Sequence, residues 1–214
     1  MLNTTPGRLR SAALAVSLAA LAGCSGPTPG PPPVAPLDAA QAVARTQVPL
    51  TRPVALDEPG VIADMEFDLP PPGELAWSSL IIGVRIEGTE VKSFIAHSDL
   101  IVRGRLPARV KLQRIEGQER VDVPLIRIGP DLKERIPLGP DGFTPGVRAA
   151  GLDGTMLYEA GLERPDVLYD VLSFARAADP RPGRYHLRLE LLEPRPLLQG
   201  RPAELIIGYN ARAK

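Results

Sequence analysis

The sequence predicts a mainly β protein, an antiparallel β-sandwich of broadly immunoglobulin-like architecture, with about seven or eight strands and one or two short helices. From residue 61 onward, short segments of alternating apolar and polar residues are separated by turns rich in Pro and Gly, which is the pattern of antiparallel strands. Many short strands at such spacing favour a sandwich over an α/β fold. Residues 54–214 contain no cysteine, so the predicted domain depends on its apolar core and on no disulfide.

The first 23 residues have the layout of a bacterial lipoprotein signal peptide. Two arginines begin it, an uncharged apolar run covers residues 12–21, and the small residues Ala22 and Gly23 precede Cys24, the single cysteine of the chain. Such a run is too short for a transmembrane helix and is typical of a segment removed on export. We predict cleavage between Gly23 and Cys24 and lipidation of Cys24; the alternative is an ordinary secretory signal with a chance cysteine.

Lipidation of Cys24 also implies a location in the cell. Several acyl chains on one cysteine anchor a protein durably, whereas a single chain binds a membrane only marginally. Ser25 follows the cysteine, and an aspartate at that position is what usually retains lipoproteins in the inner membrane of Gram-negative cells. The expected location is therefore the outer membrane, with the protein lipid-anchored on the periplasmic face.

Composition divides the chain into a signal peptide (residues 1–23), an acylated cysteine with a Pro-rich linker (residues 24–53) and a sandwich domain (residues 54–214). Prolines dominate the start of the linker, and this composition favours an extended polyproline II chain over a packed core. Within the linker, Asp38-Ala-Ala-Gln41 resembles a capping box and predicts a short helix that ends at Ala44.

Composition also excludes several classes of function. The full chain carries 25 basic and 25 acidic residues, a balance that argues against a nucleic-acid partner. Two histidines and one cysteine are too few for a zinc site built from those residue types. The chain also lacks the nucleophile-elbow, zinc-protease and phosphate-loop motifs. We predict a protein without metal, cofactor or catalytic residues, which is not an enzyme.

Alternation of apolar and polar residues places the strands. They are predicted at residues 61–69, 80–86, 91–96, 100–102, 110–113, 121–125, 167–174, 185–191 and 203–209. The strand at 80–86 is expected to be central and to end at Gly88. Pro124 cannot donate a ladder hydrogen bond, and the apolar phase slips after it, which together predict an edge strand or a β-bulge there.

Residues 129–165 are the most irregular part of the chain. They hold seven glycines, five prolines and one helix candidate, Met156 to Ala160, with Thr155 as its expected cap. Irregular segments longer than about 15 residues are usually functional or mobile. We therefore expect a recognition surface in this segment before any other.

Five residues are candidates for contact with a partner. Asp64, Glu66 and Asp68 alternate along one strand, so their carboxylates lie on one face about 7 Å apart and would suit a cation or a basic partner. The competing interpretation is the solvated face of an edge strand, where charges deter edge pairing. Trp77 and Tyr158 are large aromatics near loops, either interface anchors or half-buried packing residues.

The two histidines, His97 and His186, are the groups that a histidine-dependent hydrolase would need. Both are predicted in strands or at strand edges, with His186 on the polar face between Tyr185 and Leu187. A surface role is the expected one for His186, because it lies on the polar face of its strand. A Ser-His-Asp triad is not expected, because no serine in the chain has the context of a strained nucleophile turn.

The end of the chain carries three short motifs: residues 182–192 read PGRYHLRLELL, residues 198–202 read LQGRP and residues 206–210 read IIGYN. This series resembles the ending of an uncharacterised family of proteobacterial envelope lipoproteins, whose domains close with a PGxYxLRLE-type strand and an IGY strand. Residues 106–110 resemble a segment in the middle of that family, where Pro precedes a strand. The resemblance implies the fold and an envelope location, and it brings no catalytic residues.

The predicted function is that of a non-catalytic protein-binding module of the cell envelope, held to the membrane by its lipid. One alternative is an immunity lipoprotein that neutralises an antibacterial toxin. Another, of a different class, is an envelope hydrolase acting on peptidoglycan or lipid.

Overall fold

Twelve strands and three α-helices make up the part of the chain that the computed structural model describes, residues 33–131 and 133–212. The strands are β1 Leu50–Val54, β2 Gly60–Leu69, β3 Ala76–Gly88, β4 Ala108–Glu116, β5 Glu119–Asp122, β6 Leu125–Ile128, β7 Arg135–Pro137, β8 Phe143–Thr144, β9 Arg148–Ala150, β10 Leu168–Ala177, β11 Gly183–Leu191 and β12 Ala203–Ala211. The helices are α1 Ala39–Ala44, α2 Val91–Gly104 and α3 Gly154–Glu159, with a 3-10 helix at Pro196–Leu198. The predicted signal peptide and Cys24 lie outside the described residues.

The strands form two antiparallel sheets. The large sheet has seven strands in the order β1-β12-β3-β10-β6-β7, with β9 also pairing with β10. The small sheet has five strands in the order β2-β11-β4-β5, with β8 also pairing with β4. The predicted mainly β, antiparallel sandwich is confirmed, although the described residues hold twelve strands and not seven or eight.

The core contains inward-facing side chains from both sheets. On β3 of the large sheet, Leu80, Ile82 and Val84 are fully buried, as the alternation predicted. On the small sheet, Phe67 of β2 stacks on Tyr185 of β11, with ring centroids 5.7 Å apart and an interplanar angle of 17°. Offset aromatic pairs of this kind stabilise a core beyond the burial of their area.

A second, smaller apolar cluster lies on the outer face of the large sheet. Ile81 of β3, Val171 of β10 and Ile206 of β12 point outward and pack with Leu157 of α3 and with Leu162. Because of this cluster, β3 is buried on both faces from Leu80 to Ile86. The segment around α3 is therefore a covering layer and not a solvent-exposed loop.

Arg85 of β3 lies beneath this layer with only 4% of its surface exposed. Its Nε and Nη2 donate to Glu204 Oε2 at 2.9 and 2.6 Å, and its Nη1 donates to the Leu162 carbonyl at 2.7 Å. The guanidinium also lies 4.6 Å from the centroid of the Tyr169 ring. A buried charge is tolerated when it is paired and fully hydrogen-bonded, and here the pairing joins β3, β12 and the loop after α3.

The folded part begins earlier than the predicted boundary at residue 54. Residues from Val34 onward form a compact unit, and β1, which we assigned to the linker, pairs with β12 along its whole length. Leu50 of β1 is fully buried, which is why this segment belongs to the core. The predicted capping box is confirmed: the Asp38 carboxylate accepts from the Gln41 amide at 2.8 Å, and α1 ends at Ala44.

The strands predicted at 91–96 and 100–102 are wrong, because this segment is the single helix α2. The Glu90 carboxylate caps it by accepting from the amides of Lys92 and Ser93. Helical spacing brings His97 and Ile101 to the buried face. At 14 residues α2 is longer than the one or two short helices that we predicted. Among the described helices, none has the length and apolar character needed to cross a membrane.

The slip in apolar phase at Pro124 marks a change of sheet and not a β-bulge. β5 ends at Asp122 and is an edge strand of the small sheet. β6 begins at Leu125 and belongs to the large sheet, where it pairs with β10. Pro124 lies between the two strands, where no ladder hydrogen bond is required of it. Leu125 of β6 joins the core, whereas Ile126 is only partly buried and lies on the outer face of the large sheet. The apolar residues after Pro124 therefore occupy both faces of β6.

Residues 129–165 are less irregular than predicted. They contain β7, β8, β9 and α3. The helix begins at Gly154 and not at Met156, and its cap is Asp153, whose carboxylate accepts from the Thr155 amide at 3.0 Å. The strands in this segment are only two or three residues long, too short for alternation to be recognised.

Gly83 of β3 lies where the backbone of the neighbouring strand β10 leaves no room for a side chain. A Cβ at this residue would lie 2.4 Å from the Leu172 carbonyl oxygen of β10. We expect Gly83→Ala to lower the free energy of unfolding by about 2–3 kcal/mol, because the strands must separate to admit the methyl group. Urea denaturation measures the change. Gly154→Ala is the control, since no atom lies within 4 Å of its added Cβ, and equal effects in both variants would contradict the prediction.

His97 should make stability depend on pH. The residue is 6% exposed, and its Nε2 has no hydrogen-bond partner among the described residues. Burial, and then the charge of Arg201, lower the pKa of His97 in the folded state. Below about pH 6.5 the unfolded chain therefore binds a proton that the folded chain resists, so stability falls with falling pH.

We expect the urea concentration at the unfolding midpoint of the wild type to decrease when the pH is lowered from 7.5 to 5.5. The decrease should be smaller in His97→Gln. Wild type and His97→Gln are compared in the same buffers across this pH range. An unchanged pH dependence in His97→Gln would show that the buried imidazole is not its source.

Candidate functional site

The predicted acidic stripe lies on the outer face of the small sheet, and basic residues neutralise it. Asp64 contacts His186 Nε2 and accepts from Arg188 Nη1, both at 2.6 Å. The hydrogen bond from His186, followed by Arg188, lowers the pKa of Asp64. β2 is an edge strand of this sheet. The structure thus supports the solvated-face interpretation of Asp64.

The other two carboxylates of the stripe have basic neighbours as well. Glu66 binds Arg120 at 3.0 Å and Arg184 at 2.8 Å. Asp68 lies opposite Arg184 in the register of β2 and β11. Among the described residues, no group of three or more His, Cys, Asp or Glu side chains is placed to hold a metal ion.

The two predicted aromatic anchors do not share a site. Trp77 lies near the start of β3, 47% exposed, with the Arg212 guanidinium 5.1 Å from the centre of its ring. Tyr158 lies on α3, 44% exposed, and its hydroxyl accepts from the Val34 amide at 3.3 Å. Each aromatic side chain is therefore about half exposed to solvent, and each contacts one other part of the chain.

Among the described residues, neither histidine ring is hydrogen-bonded to a hydroxyl or thiol. His186, expected as a free surface residue, is bound to Asp64 on the small sheet, and its neighbours in register are Glu66 and Gln113. His97, expected in a strand, is buried in α2. A histidine-dependent hydrolase needs a hydroxyl or thiol within reach of the imidazole, and the register places none opposite His186.

The candidate site is a cleft at a fork in the large sheet. The edge of β10 that faces away from β3 is shared by two strands: β9 pairs with Val171 to Ser173, and β6 pairs with Arg176 and Ala177. Between them the register of β10 against β3 shifts, which leaves Phe174 as an extra residue. At this shift the Ser173 hydroxyl donates to the Ala175 carbonyl at 3.1 Å. The fork leaves an opening of about 290 Å³.

Three arginines from three different elements line this opening. Arg105 follows α2, Arg127 belongs to β6 and Arg148 belongs to β9. The remaining lining residues are apolar or small: Val102, Ile128, Pro130, Pro145, Gly146, Val147, Ser173 and Phe174. We call this site the arginine cleft.

The backbone around Arg105 is held in an unusual conformation. Arg105 has φ +48°, a left-handed value that is uncommon for a residue with a side chain. Its carbonyl accepts from Nη2 and Nε of Arg195 at 2.7 and 3.1 Å, which pins the turn after α2. Gly146 packs against this turn, and a Cβ there would lie 3.2 Å from the Arg105 Cα. Contacts with residues distant in the sequence thus hold the backbone turn from which the Arg105 side chain extends.

The arginine cleft carries positive charge without a compensating acid. None of its lining residues is acidic, and within residues 33–131 and 133–212 none of its three arginines takes part in an ion pair. Like charges in one cleft repel each other, and a bound anion removes that repulsion. The guanidinium fork also matches the two oxygens of a carboxylate or a phosphate. The cleft is therefore suited to an anionic group.

Sequence reasoning located one wall of this site and missed its charge. Residues 129–165, singled out for their irregularity, supply Pro130, Pro145, Gly146, Val147 and Arg148. Arg105 and Arg127 lie outside that segment, and 25 basic residues are spread along the chain. No local pattern distinguishes these arginines from the rest, because their meeting depends on the fork in the sheet.

Comparison with known proteins adds little to this geometry. No protein-family model matches the chain, and no curated protein matches it. Among solved structures it is similar to a protein from Sulfurospirillum deleyianum at 12% identity and a TM-score of 0.38, over 77% of this chain and 98% of that one. At this identity and TM-score the likeness supports no conclusion about fold or function.

Proposed function

We propose that this protein is an outer-membrane lipoprotein, anchored through Cys24 on the periplasmic face, whose sandwich is a non-catalytic binding module for another envelope protein. The proposal of an anchor is supported by the order of charged, apolar and small residues before the single cysteine. The folded unit that starts at Val34 lies only ten residues beyond Cys24. The expected product is a folded module held close to the bilayer by a short chain.

The arginine cleft is the observation that carries the binding role. Three guanidiniums without an acid among the cleft residues favour a partner segment that presents carboxylates. Recognition of acidic segments by arginine clusters is a recurring mode of protein–protein binding. The partner of the proposal is accordingly an envelope protein with an acidic loop or tail.

A binding role suits the cleft better than catalysis. Its hydroxyl group, that of Ser173, donates to the Ala175 carbonyl, and no histidine, acid or lysine that would act as a base lines the cleft. A nucleophile without an adjacent base is weak at neutral pH. The arginines can orient and hold an anion, and the cleft residues offer no group to transfer a proton.

The anchor is tested by Cys24→Ala. We expect the mutated chain to lose its acyl groups and to leave the outer-membrane fraction after a high-salt wash, because no lipid then holds it. Mass spectrometry of the N-terminal peptide and fractionation of envelopes measure both effects. Ser25→Asp is the matched control, which should remain acylated and move to the inner membrane. An unmodified cysteine in the wild type would contradict the proposal.

The binding site is tested by the double variant Arg127→Gln/Arg148→Gln. We expect capture of the partner by crosslinking in intact envelopes to fall about tenfold or more, since each charge-assisted hydrogen bond contributes roughly 1.5–3 kcal/mol. Arg103→Gln/Arg109→Gln removes the same charge away from the cleft and should keep capture near the wild-type level. Equal loss in both double variants would point to a general charge effect and overturn the assignment of the cleft.

A further inference from the structure

We propose that a second hollow, on the outer face of the large sheet, binds phosphate groups of lipid heads in the membrane to which the chain is anchored. The hollow has a volume of about 480 Å³ and is lined chiefly by Trp77, Lys133, Arg135, Arg176, Ile126 and Asn210. This proposal rests on the proposed anchoring through Cys24. The cations of the hollow differ from those of the arginine cleft, although Ile128 lines both openings.

The hollow is the part of the outer face that the covering layer leaves open. Arg176 lies opposite Ile81 of β3 and opposite Ile126 of β6 in the register. Ile81 is covered by the apolar cluster beneath α3, whereas Ile126 is only partly buried. An isolated β-bridge between Leu152 and Asn210 lies at the border of the covering layer. The hollow thus directly adjoins the α3 layer.

Its charges are not balanced by the residues around it. Arg176 is partly buried, and its Nε has no hydrogen-bond partner among the described residues. Arg135 and Lys133 also line the hollow, while the one acid there, Asp179, accepts a hydrogen bond from the Ser78 hydroxyl. Burial, and then the charge of Arg135, lower the pKa of Arg176. A partly buried arginine beside another cation is stabilised by an oxyanion that bonds to both.

The rim of the hollow has the composition of a membrane interface. Trp77, 47% exposed, is the single tryptophan of the chain. Tryptophan prefers the zone of the lipid heads because its ring is apolar and its N–H is polar. Lysine and arginine are attracted to anionic lipid surfaces over short distances. A Trp77 rim around three cations therefore suits a lipid surface better than a neutral partner.

The start of the described chain lies on the same face as the hollow. The Val34 amide donates to the Tyr158 hydroxyl of α3, and the Leu37 amide donates to the Gly161 carbonyl. The ten residues from Cys24 to Pro33 span at most about 35 Å. A tether of this length would raise the effective concentration of lipid heads around the whole folded unit, the hollow included.

The test uses a chain that begins at Ser25, since residues from Val34 onward form a compact unit and neither signal peptide nor lipid then contributes. Trp77 fluorescence reports on the hollow, because the chain has no other tryptophan. We expect a blue shift with vesicles of phosphatidylglycerol and phosphatidylcholine, and none with phosphatidylcholine alone. Raising NaCl from about 0.05 M to about 0.5 M should reverse the shift.

Arg135→Gln/Arg176→Gln should weaken binding to the anionic vesicles by about tenfold or more. Arg109→Gln/Arg181→Gln, which removes the same charge at two exposed positions that line neither the hollow nor the arginine cleft, should bind like the wild type. Arg135→Gln alone, at an exposed site, should weaken binding by about threefold or more and guards against misfolding of the Arg176 variant. Thermal unfolding checks that each variant is folded.

Three outcomes would overturn the proposal. They are no shift with anionic vesicles, equal weakening in both double variants, and a saturable Trp77 response to inorganic phosphate without vesicle binding, which would indicate a site for free anions. These failures are distinguishable from failure of the anchor. Loss of acylation at Cys24 concerns the proposed function alone, and vesicle binding by the chain from Ser25 is measured without it.

Discussion

The central strand β3 is buried on both faces, and this double burial requires a layer of chain on each side of the large sheet. β3 is hydrogen-bonded to β12 on one edge and to β10 on the other, and it is buried from Leu80 to Ile86. Antiparallel sheets commonly leave one face to water, so here a further layer must cover the outer face. α3 and the loop after it form that layer. Arg85 holds the loop through the Leu162 carbonyl while Glu204 balances its charge.

The covering layer and the fork at β10 together create the two basic surfaces. Where the layer ends, Arg176 lies on an open part of the sheet beside Arg135. Where β9 and β6 share one edge of β10, the opening between them gathers Arg105, Arg127 and Arg148. Alternation along β6 turns Ile126 toward the hollow and Arg127 toward the cleft. Two surfaces of like charge therefore meet at one four-residue strand, and Ile128 of this strand lines both of them.

Strands in which apolar and polar residues alternate over many positions were predictable. Segments whose conformation depends on contacts with residues distant in the sequence were not. β2 and β11 alternate over nine or ten residues, so their period of two was evident. The segment 91–104 has apolar residues at positions that suit short strands as well as a helix, and the Glu90 cap decided for the helix. β1 is short and has two prolines in or beside it, so its sequence did not show the pattern of a strand. Its burial comes from pairing with β12, about 150 residues further along the chain.

Local sequence patterns were enough to predict the sandwich class and the capping box of α1, because both show in residues that are close together in the chain. The lipidation of Cys24 stays a prediction from the same kind of local pattern. The pairing of the acidic stripe at Asp64 with His186 and Arg188 could be seen only in the folded chain, because these residues come from another strand far along the sequence. The same holds for the arginine cleft, whose members approach because the edge of β10 divides. Charge and periodicity are local properties, whereas the neighbours of a charge are set by strand order.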